Sequence, residues 1–367
     1  MPELRQNPIT KQWVIIATER ARRPHEFIQK KPDAAPVPSY SEKCPFCPGN
    51  EHLAPPESFR LGRHDHWQVR VIPNKFAALS SEGEVSRATQ GLKRTVSGVG
   101  VHEVVIETPD HSATTALLAD EDVAKILECY KDRYFTLTND PRVQNVTIFK
   151  NHGAAAGTSL EHPHSQIIAT PIIPPDVRNR VEEALRFYDE SGECIFCKVL
   201  MEELADGARL VHQTDHFVAF LPFASLTPFS LWIYPRRHMA SYGEIHNEEL
   251  GDLARMLRII LAKLYHGLAN PDFNYVIRTA PSEYRYCRYY HWYISVIPRL
   301  TKTAGFELGS GIYINPTLPE ANAEFLRNVE LPAVAAVPYS GGHPEERSDE
   351  GPALRLVKAR CNDSPET

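Results

Sequence analysis

The residues His162-Pro163-His164-Ser165-Gln166 place two imidazoles and a primary amide on alternate positions of the chain. In an extended strand, alternate side chains point the same way, so His162, His164 and Gln166 are expected to share one face. A neutral imidazole can attack phosphorus as a nucleophile, and glutamine can donate to a phosphoryl oxygen without acting as a base. Taken alone, a His-x-His pair reads more readily as two satisfied histidines on a half-buried strand. The surroundings move the reading toward phosphate chemistry. Ile167-Ile168-Ala169-Thr170 continues as strand, and Gly153 to Gly157, with three alanines between, forms a compact loop just upstream.

The elements that must position this strand occur twice. His102-Glu103-Val104-Val105-Ile106-Glu107-Thr108-Pro109-Asp110-His111 reads as a strand closed by proline and histidine, and Phe229 to His238 repeats that shape. An amphipathic helix follows each, over 120–138 with Val123, Ile126, Leu127, Tyr130 and Tyr134 on one stripe. The second lies over 247–268, with Leu250, Leu253, Met256, Leu257, Ile260 and Leu264 likewise. Strands at Val146–Phe149 and Tyr275–Ile277 come next, then a loop, then a histidine strand, the second being His291 to Pro298. This order implies an internal duplication. The expected fold is α+β, two tandem halves, each an antiparallel sheet with a packed helix, joined as an extended sheet or half-barrel. The halves are assigned to 1–172 and 173–331, with the boundary near 172–190 around Pro171, Pro174 and Pro175. Residues 332–367, with a polar stretch rich in Gly, Pro and Glu over 339–351 and no periodicity, read as a disordered tail or an accidental C-terminal extension, to which no function is assigned.

Four of the seven cysteines fall in two Cys-x-x-Cys pairs, Cys44/Cys47 and Cys194/Cys197, one per half. Such pairs in a histidine-rich chain point to metal before disulfides. The duplication offers four ligands to each site: Cys44, Cys47, His111 and His162 in the first half, Cys194, Cys197, His238 and His291 in the second. Four protein ligands leave no open position, so two structural zinc ions are expected. His162 would hold metal and leave His164 free for chemistry. Where the first half has His164 and Gln166, the second has Tyr293 and Ser295. One active centre per chain follows, with the second half as scaffold.

A formal charge of −6 and the lack of a basic stripe argue against nucleic acid as a partner. No apolar run approaches the ~18 residues of a membrane span, and residues 1–20 lack a secretory layout, so a cytoplasmic enzyme is expected.

The duplicated histidine-triad layout, with His-Pro-His-x-Gln in the first half only, resembles the galactose-1-phosphate uridylyltransferase family over about residues 1–330. The likeness also rests on Asn7 to Ile16, Arg20-Ala21-Arg22-Arg23-Pro24, Cys44-Pro45-Phe46-Cys47, Asn74-Lys75-Phe76-Ala77-Ala78-Leu79, Pro109-Asp110-His111 and Asn151 to Ser159. The resemblance implies a ping-pong reaction. His164 would attack the α-phosphorus of a nucleotide-sugar, expel a sugar 1-phosphate and carry the nucleotidyl group to a second sugar phosphate. Gln166, Ser159 and the backbone around Gly157 would steady the phosphoryl oxygens. Arg20, Arg23, Asn74 and Asn151 match the family's nucleotide-contacting positions, and Phe306 lies where the family has its hexose-contacting segment, which reads differently here. A homodimer whose segments complete each other's sites is also implied.

The family's usual reaction would make this a transferase of UMP from UDP-glucose to galactose 1-phosphate. Two departures point elsewhere. Lys75 replaces an acidic residue, and Gly305-Phe306-Glu307-Leu308-Gly309-Ser310-Gly311-Ile312-Tyr313-Ile314-Asn315-Pro316, with Ser165, looks closer to a branch that includes an ADP-glucose phosphorylase. The alternative is therefore adenylyl transfer to phosphate. A non-catalytic zinc-containing nucleotide-binding protein is the reading from outside enzymology.

Overall fold

The structure, a computed structural model, describes residues 1–17, 24–28, 37–63 and 66–332. Arg20, Arg23 and the expected tail from residue 333 onward lie outside these described residues.

In chain order the strands of the first half are β1 (Glu3–Gln6), β2 (Trp13–Ile16), β3 (Phe59–Arg63), β4 (His66–Pro73), β5 (Arg87–Gln90), β6 (Lys93–Val96), β7 (Val101–Ile106), β8 (Asn145–His152) and β9 (His164–Thr170), with helix α1 (Asp120–Thr138) before β8. Two helices follow, α2 (Pro175–Ser191) and α3 (Ile195–Asp206). Then come β10 (Leu210–Gln213), β11 (Phe217–Phe220), β12 (Leu231–Pro235), α4 (Asn247–Gly267), β13 (Phe273–Arg278) and β14 (Tyr293–Pro298). The described chain closes with α5 (Gly305–Ser310), β15 (Tyr313–Asn315) and α6 (Pro319–Arg327).

Ten of these strands form one sheet in the order β10-β11-β12-β14-β13-β8-β9-β7-β4-β3, every neighbouring pair antiparallel. The order reads the same from either edge. Five strands of one half run outward from β8, and five of the other run outward from β13. The fold is thus α+β, two tandem histidine-triad-like halves fused into an extended sheet. Their seam is the β8–β13 ladder, which sets His152 opposite Phe273 and Asn151 opposite Asn274.

Helices α1 and α4 cover one face of the sheet. Asp120, Glu121 and Asp122 in the first turn of α1 favour the positive end of its dipole. Val123, Ile126, Leu127, Tyr130, Tyr134 and Leu137 recur at helical spacing and are all buried. At the start of α4, Glu249 accepts a hydrogen bond from the His246 N–H at 2.7 Å, which caps the turn. Both helices share one core with Val105, Ile148, Ile167, Tyr275, Ile277 and Ile294 of the sheet.

The opposite face differs between the halves. In the second half, α2 and α3 lie over it, packing Val181, Phe196 and Val199 against Val218, Trp232 and Tyr293. Among the described residues, the first half has the Cys44–Cys47 turn there, packed on Trp67, Ile72 and Val104. The span around Pro174 and Pro175, expected as a boundary segment, is the start of a 17-residue helix. Proline suits the first helical position, because its missing N–H has no partner there in any case.

A separate three-stranded sheet, β1-β2-β15, joins the two ends of the described chain, β2 and β15 running parallel. Among the described residues no helix is long and apolar enough to cross a membrane.

Leu257 of α4 is 1% exposed in the common core. Leu257→Ala is expected to cost about 2–5 kcal/mol, read as a lower urea midpoint with an unchanged slope.

Candidate active site and metal centres

β9 begins at His164, so His162 stands just before the strand, separated from it by a proline that cannot donate to the ladder. Cross-strand pairing then sets the open face of the sheet. Val104 and Phe149 flank Gln166, and Phe149 pairs across the seam with Val276, which pairs with Ser295 beside Trp232. Gln166 and Ser295 therefore occupy matching places in one unbroken row. His164 and Tyr293 occupy matching places one register step away. Tyr293 is 1% exposed, packed between Tyr234 and Trp232, and lines a cavity of about 160 Å³, smaller than those beside His164.

In the first half, Cys44, Cys47, His111 and His162 are all buried, and one ligand atom from each lies within 4.8 Å of every other. The Nδ1 atoms of His111 and His162 are 3.3 Å apart, and Cys47 Sγ is 3.4 Å and 3.6 Å from them. Cys44 Sγ is 3.7 Å from His162 Nδ1. Bond lengths of about 2.0–2.1 Å to nitrogen and 2.3 Å to sulfur give tetrahedral edges of roughly 3.3–3.8 Å, so this donor set fits a four-coordinate metal. His162 Nε2–H donates to the Thr108 carbonyl at 2.8 Å, which leaves Nδ1 as the free lone pair facing the cluster.

The second cluster brings together Cys194, Cys197 and His238 in the same sense. His291 Nδ1 reaches Cys197 Sγ at 3.3 Å but stands outside that mutual set of three. Here the Cys-x-x-Cys lies at a helix start, Cys194 as the N-cap of α3 and Cys197 in its first turn. His291 is fully buried. Burial drives His162 down to about 4 and His291 down to about 3, so both rings are neutral, as a metal ligand must be.

His164 is 6% exposed, and its Nδ1–H donates to the His162 carbonyl at 2.9 Å. Burial holds its pKa below the ordinary imidazole range. A neutral ring with Nδ1 protonated carries its lone pair on Nε2. Phe46, from the Cys44–Cys47 turn, packs edge-on against both His162 and His164.

Two cavities meet at His164. One, of about 360 Å³, is an apolar slot lined by Phe46, Leu53, Ile72, Phe76 and Val104, with Asn74, Lys75 and Gln166 at its polar side. The other, of about 750 Å³, is lined by Lys150, Asn151, Thr158, Asp110, Glu161 and Asp272. His164 and Ser159 line both. Gly157 ends the short loop helix in the left-handed region at φ +89° and is exposed. Phe306, on α5, is 47% exposed and lines neither cavity.

Several groups that the sequence did not single out crowd this site. His102 Nε2 is 2.8 Å from Gln166 Oε1. Lys150 and Glu107, both buried, form an ion pair, and Thr115 also donates to Glu107, with the Tyr130 hydroxyl 3.3 Å away. Tyr130 in turn donates to Ser165 Oγ at 2.6 Å, which explains a small hydroxyl residue at that position. From the second half, Asp272 accepts the Ala155 N–H at 2.7 Å and Asn274 donates to Asn151 Oδ1 at 2.8 Å. Gly153 must be glycine, since a Cβ there would sit 2.1 Å from the Asp272 carboxylate, at φ +83°.

Comparison with known proteins matches this arrangement. Residues 1–174 match the family described as galactose-1-phosphate uridyl transferase, N-terminal domain. Residues 105–329 match a domain of unknown function, DUF4921. ADP-glucose phosphorylase of Arabidopsis thaliana is 37% identical over 336 residues, 90% of this chain and 93% of that protein. Galactose-1-phosphate uridylyltransferase of Thermotoga maritima is 31% identical over 341 residues, 90% of this chain and 99% of that one. The crystal structure of the Arabidopsis ADP-glucose phosphorylase with bound ADP-glucose superposes with a TM-score of 0.77 at 36% identity, covering 90% of this chain and all of that one. The fold and its single open histidine strand define a tandem histidine-triad-like protein of the nucleotidyltransferase type. The chain belongs to the galactose-1-phosphate uridylyltransferase family.

Burial alone would raise the Glu107 carboxyl, but Lys150 and the Thr115 hydroxyl outweigh it and hold it below the usual carboxylate range. Its contribution to stability is therefore complete above about pH 4.3 and lost as pH falls through the lowered value. Lys150→Met should strand that carboxylate and cost about 3–5 kcal/mol in urea unfolding, most of it regained in Lys150→Met/Glu107→Gln. Cys44→Ser should remove one equivalent of bound metal, measured by elemental analysis, and lower the melting temperature, because structural metal binding is folding free energy.

Proposed function

We propose that the protein transfers a nucleotidyl group from a nucleoside diphosphate hexose through a covalent intermediate on His164. The observation that carries this is a buried, neutral imidazole whose Nδ1–H is tied to the His162 carbonyl, so that Nε2 is the nucleophilic atom where the two cavities meet. The apolar slot suits a flat nucleobase, and the polar cavity suits a hexose phosphate. Nε2 forms a P–N bond to the α-phosphorus as the P–O bond to the β-phosphate breaks and hexose 1-phosphate leaves. An acceptor phosphate oxygen then breaks the P–N bond and takes the nucleotidyl group. Gln166, beside this atom, donates to the phosphoryl oxygens and cannot activate water as a base, which favours transfer over hydrolysis. Asn151, Ser159 and the Gly157 backbone serve the same phosphoryl group.

UMP transfer from UDP-glucose to galactose 1-phosphate is the reaction that the family's name describes. Adenylyl transfer from ADP-glucose to phosphate is the second reading. It is favoured by the 37% identity to ADP-glucose phosphorylase and by Lys75 beside the slot. Zinc is the ion that two thiolates and two imidazoles suit, in a closed structural set at Cys44, Cys47, His111 and His162. The second set is Cys194, Cys197, His238 and His291. Phe306, exposed and away from His164 in its own chain, is suited to complete the site of a second copy in a homodimer. Free thiols at the two clusters suit the reducing cytoplasm.

Intact-protein mass after incubation with UDP-glucose or ADP-glucose, without acceptor, tests the reading. A uridylyl adduct discharged by galactose 1-phosphate, or an adenylyl adduct discharged by phosphate, supports one donor or the other. Absence of both adducts would return the chain to a nucleotide-binding role. His164→Asn should form neither adduct while keeping its metal content and melting temperature.

A further inference from the structure

We propose that His102 and Asn274 are positioning residues that hold the amides of Gln166 and Asn151 with their NH2 groups turned toward the reacting phosphoryl group. The inference rests on the transfer reading for the site, and it adds two residues whose work is done through others.

The argument for His102 starts from a group that cannot change its role. The Ala78 backbone N–H can only donate, and it points at His102 Nδ1 at 3.2 Å. Nδ1 is therefore the acceptor, and the proton of the neutral ring sits on Nε2. Two side chains face that Nε2–H. Asn74 presents Nδ2 at 3.0 Å, its own Oδ1 being held by the Phe76 N–H at 2.8 Å, so it brings a second donor and no acceptor. Gln166 presents Oε1 at 2.8 Å and is the acceptor that satisfies the ring. With its oxygen committed to His102, the planar amide has only its NH2 to offer the slot that it lines beside His164.

An independent chain of bonds reaches Asn151 from the other half. The Arg299 guanidinium can only donate, and its Nε–H binds Asn274 Oδ1. The Ala156 carbonyl can only accept, and it takes Asn274 Nδ2 at 2.9 Å. Asn274 is thus fixed from both sides. Its second N–H on Nδ2 meets Asn151 at 2.8 Å, so Asn151 must present Oδ1 and turn its own NH2 into the larger cavity. Asn274 is 8% exposed, so water does not compete readily for these bonds.

Both active-site amides are consequently donors before substrate arrives. An amide free to rotate would spend part of its time presenting oxygen to an anionic phosphoryl group, which repels it. Donors that need no reorganisation contribute most where charge develops in the transition state. The second half, which lacks a nucleophile, contributes to catalysis by fixing one of them.

The test is a double-mutant cycle read on two quantities, the single-turnover rate of adduct formation at saturating nucleotide-sugar and the affinity for UMP and AMP by calorimetry. His102→Leu is expected to slow adduct formation about 10- to 100-fold, with a smaller change in the donor concentration needed. In a Gln166→Leu background the same change should have almost no further effect, because the group it orients is gone. His102→Gln, whose amide places an N–H near the imidazole Nε2–H, should restore most of the rate. Asn274→Asp, nearly isosteric and still paired with Arg299, should invert the Asn151 amide and give a comparable loss that Asn151→Ala abolishes. Equal slowing by His102→Leu with and without Gln166, or no slowing at all, would overturn the proposal. If the wild-type chain binds UMP or AMP yet forms no adduct, the transfer reading fails. The affinity cycle then still decides the positioning role, since non-additive losses support it and additive ones refute it.

Discussion

His162 holds the catalytic strand from two directions. Its ring belongs to the Cys44, Cys47 and His111 cluster, with Nε2–H fixed on the Thr108 carbonyl, while its own carbonyl receives the Nδ1–H of His164. One residue thus converts the position of a Cys/His cluster suited to metal into the tautomer and aim of the His164 ring, the proposed nucleophile. Phe46 reinforces the link by packing against both rings. A shift of the cluster would move the His164 ring directly, because His162 carries both roles. A metal held in this cluster with no open coordination position would thus matter to the proposed transfer without taking a step in it.

The duplication has been used unequally. The row from Val104 through Gln166, Phe149, Val276 and Ser295 to Trp232 shows two equivalent faces on one sheet. In the second half α2 and α3 lie on that face, and Tyr293 is packed in aromatic contacts where the first half keeps an open imidazole. The covered half still acts on the site, through Asp272 on the loop at Ala155 and through Asn274 on Asn151. The seam between β8 and β13 places both residues within reach, so the halves are joined chemically as well as by backbone pairing.

Much of this was legible in the sequence because it was local and repeated. The spacing of Cys44/Cys47 and Cys194/Cys197, the Pro-His strand ends and the helical stripes each depend on neighbours a few residues apart, and each occurs twice. The repeated succession of strand, helix, strand and histidine strand, with α1 and α4 as its helices, followed from those patterns. The groups that orient the site did not, since they depend on cross-strand register between distant segments. His102 meets Gln166 only because β7 pairs with β9, and Asn274 meets Asn151 only because the halves share a ladder. Glu107 and Lys150 each look like ordinary strand charges until the fold buries them against each other. The prolines at 174 and 175 open helix α2 between the two halves, since proline ends a helix from within but readily begins one. Arg20 and Arg23 lie outside the described residues.

The small sheet that joins β2 to β15 has a consequence for how the chain is made. These strands pair in parallel, yet roughly three hundred residues separate them along the chain. A polypeptide emerging from the ribosome presents β1 and β2 before the other described strands, as a two-stranded ribbon, which is marginal in water. Its partner emerges only after both halves of the large sheet. The ribbon must wait, exposed and able to pair with other nascent chains, until almost all of the described protein has been synthesised. Translation speed through the second half therefore sets how long that strand edge remains open.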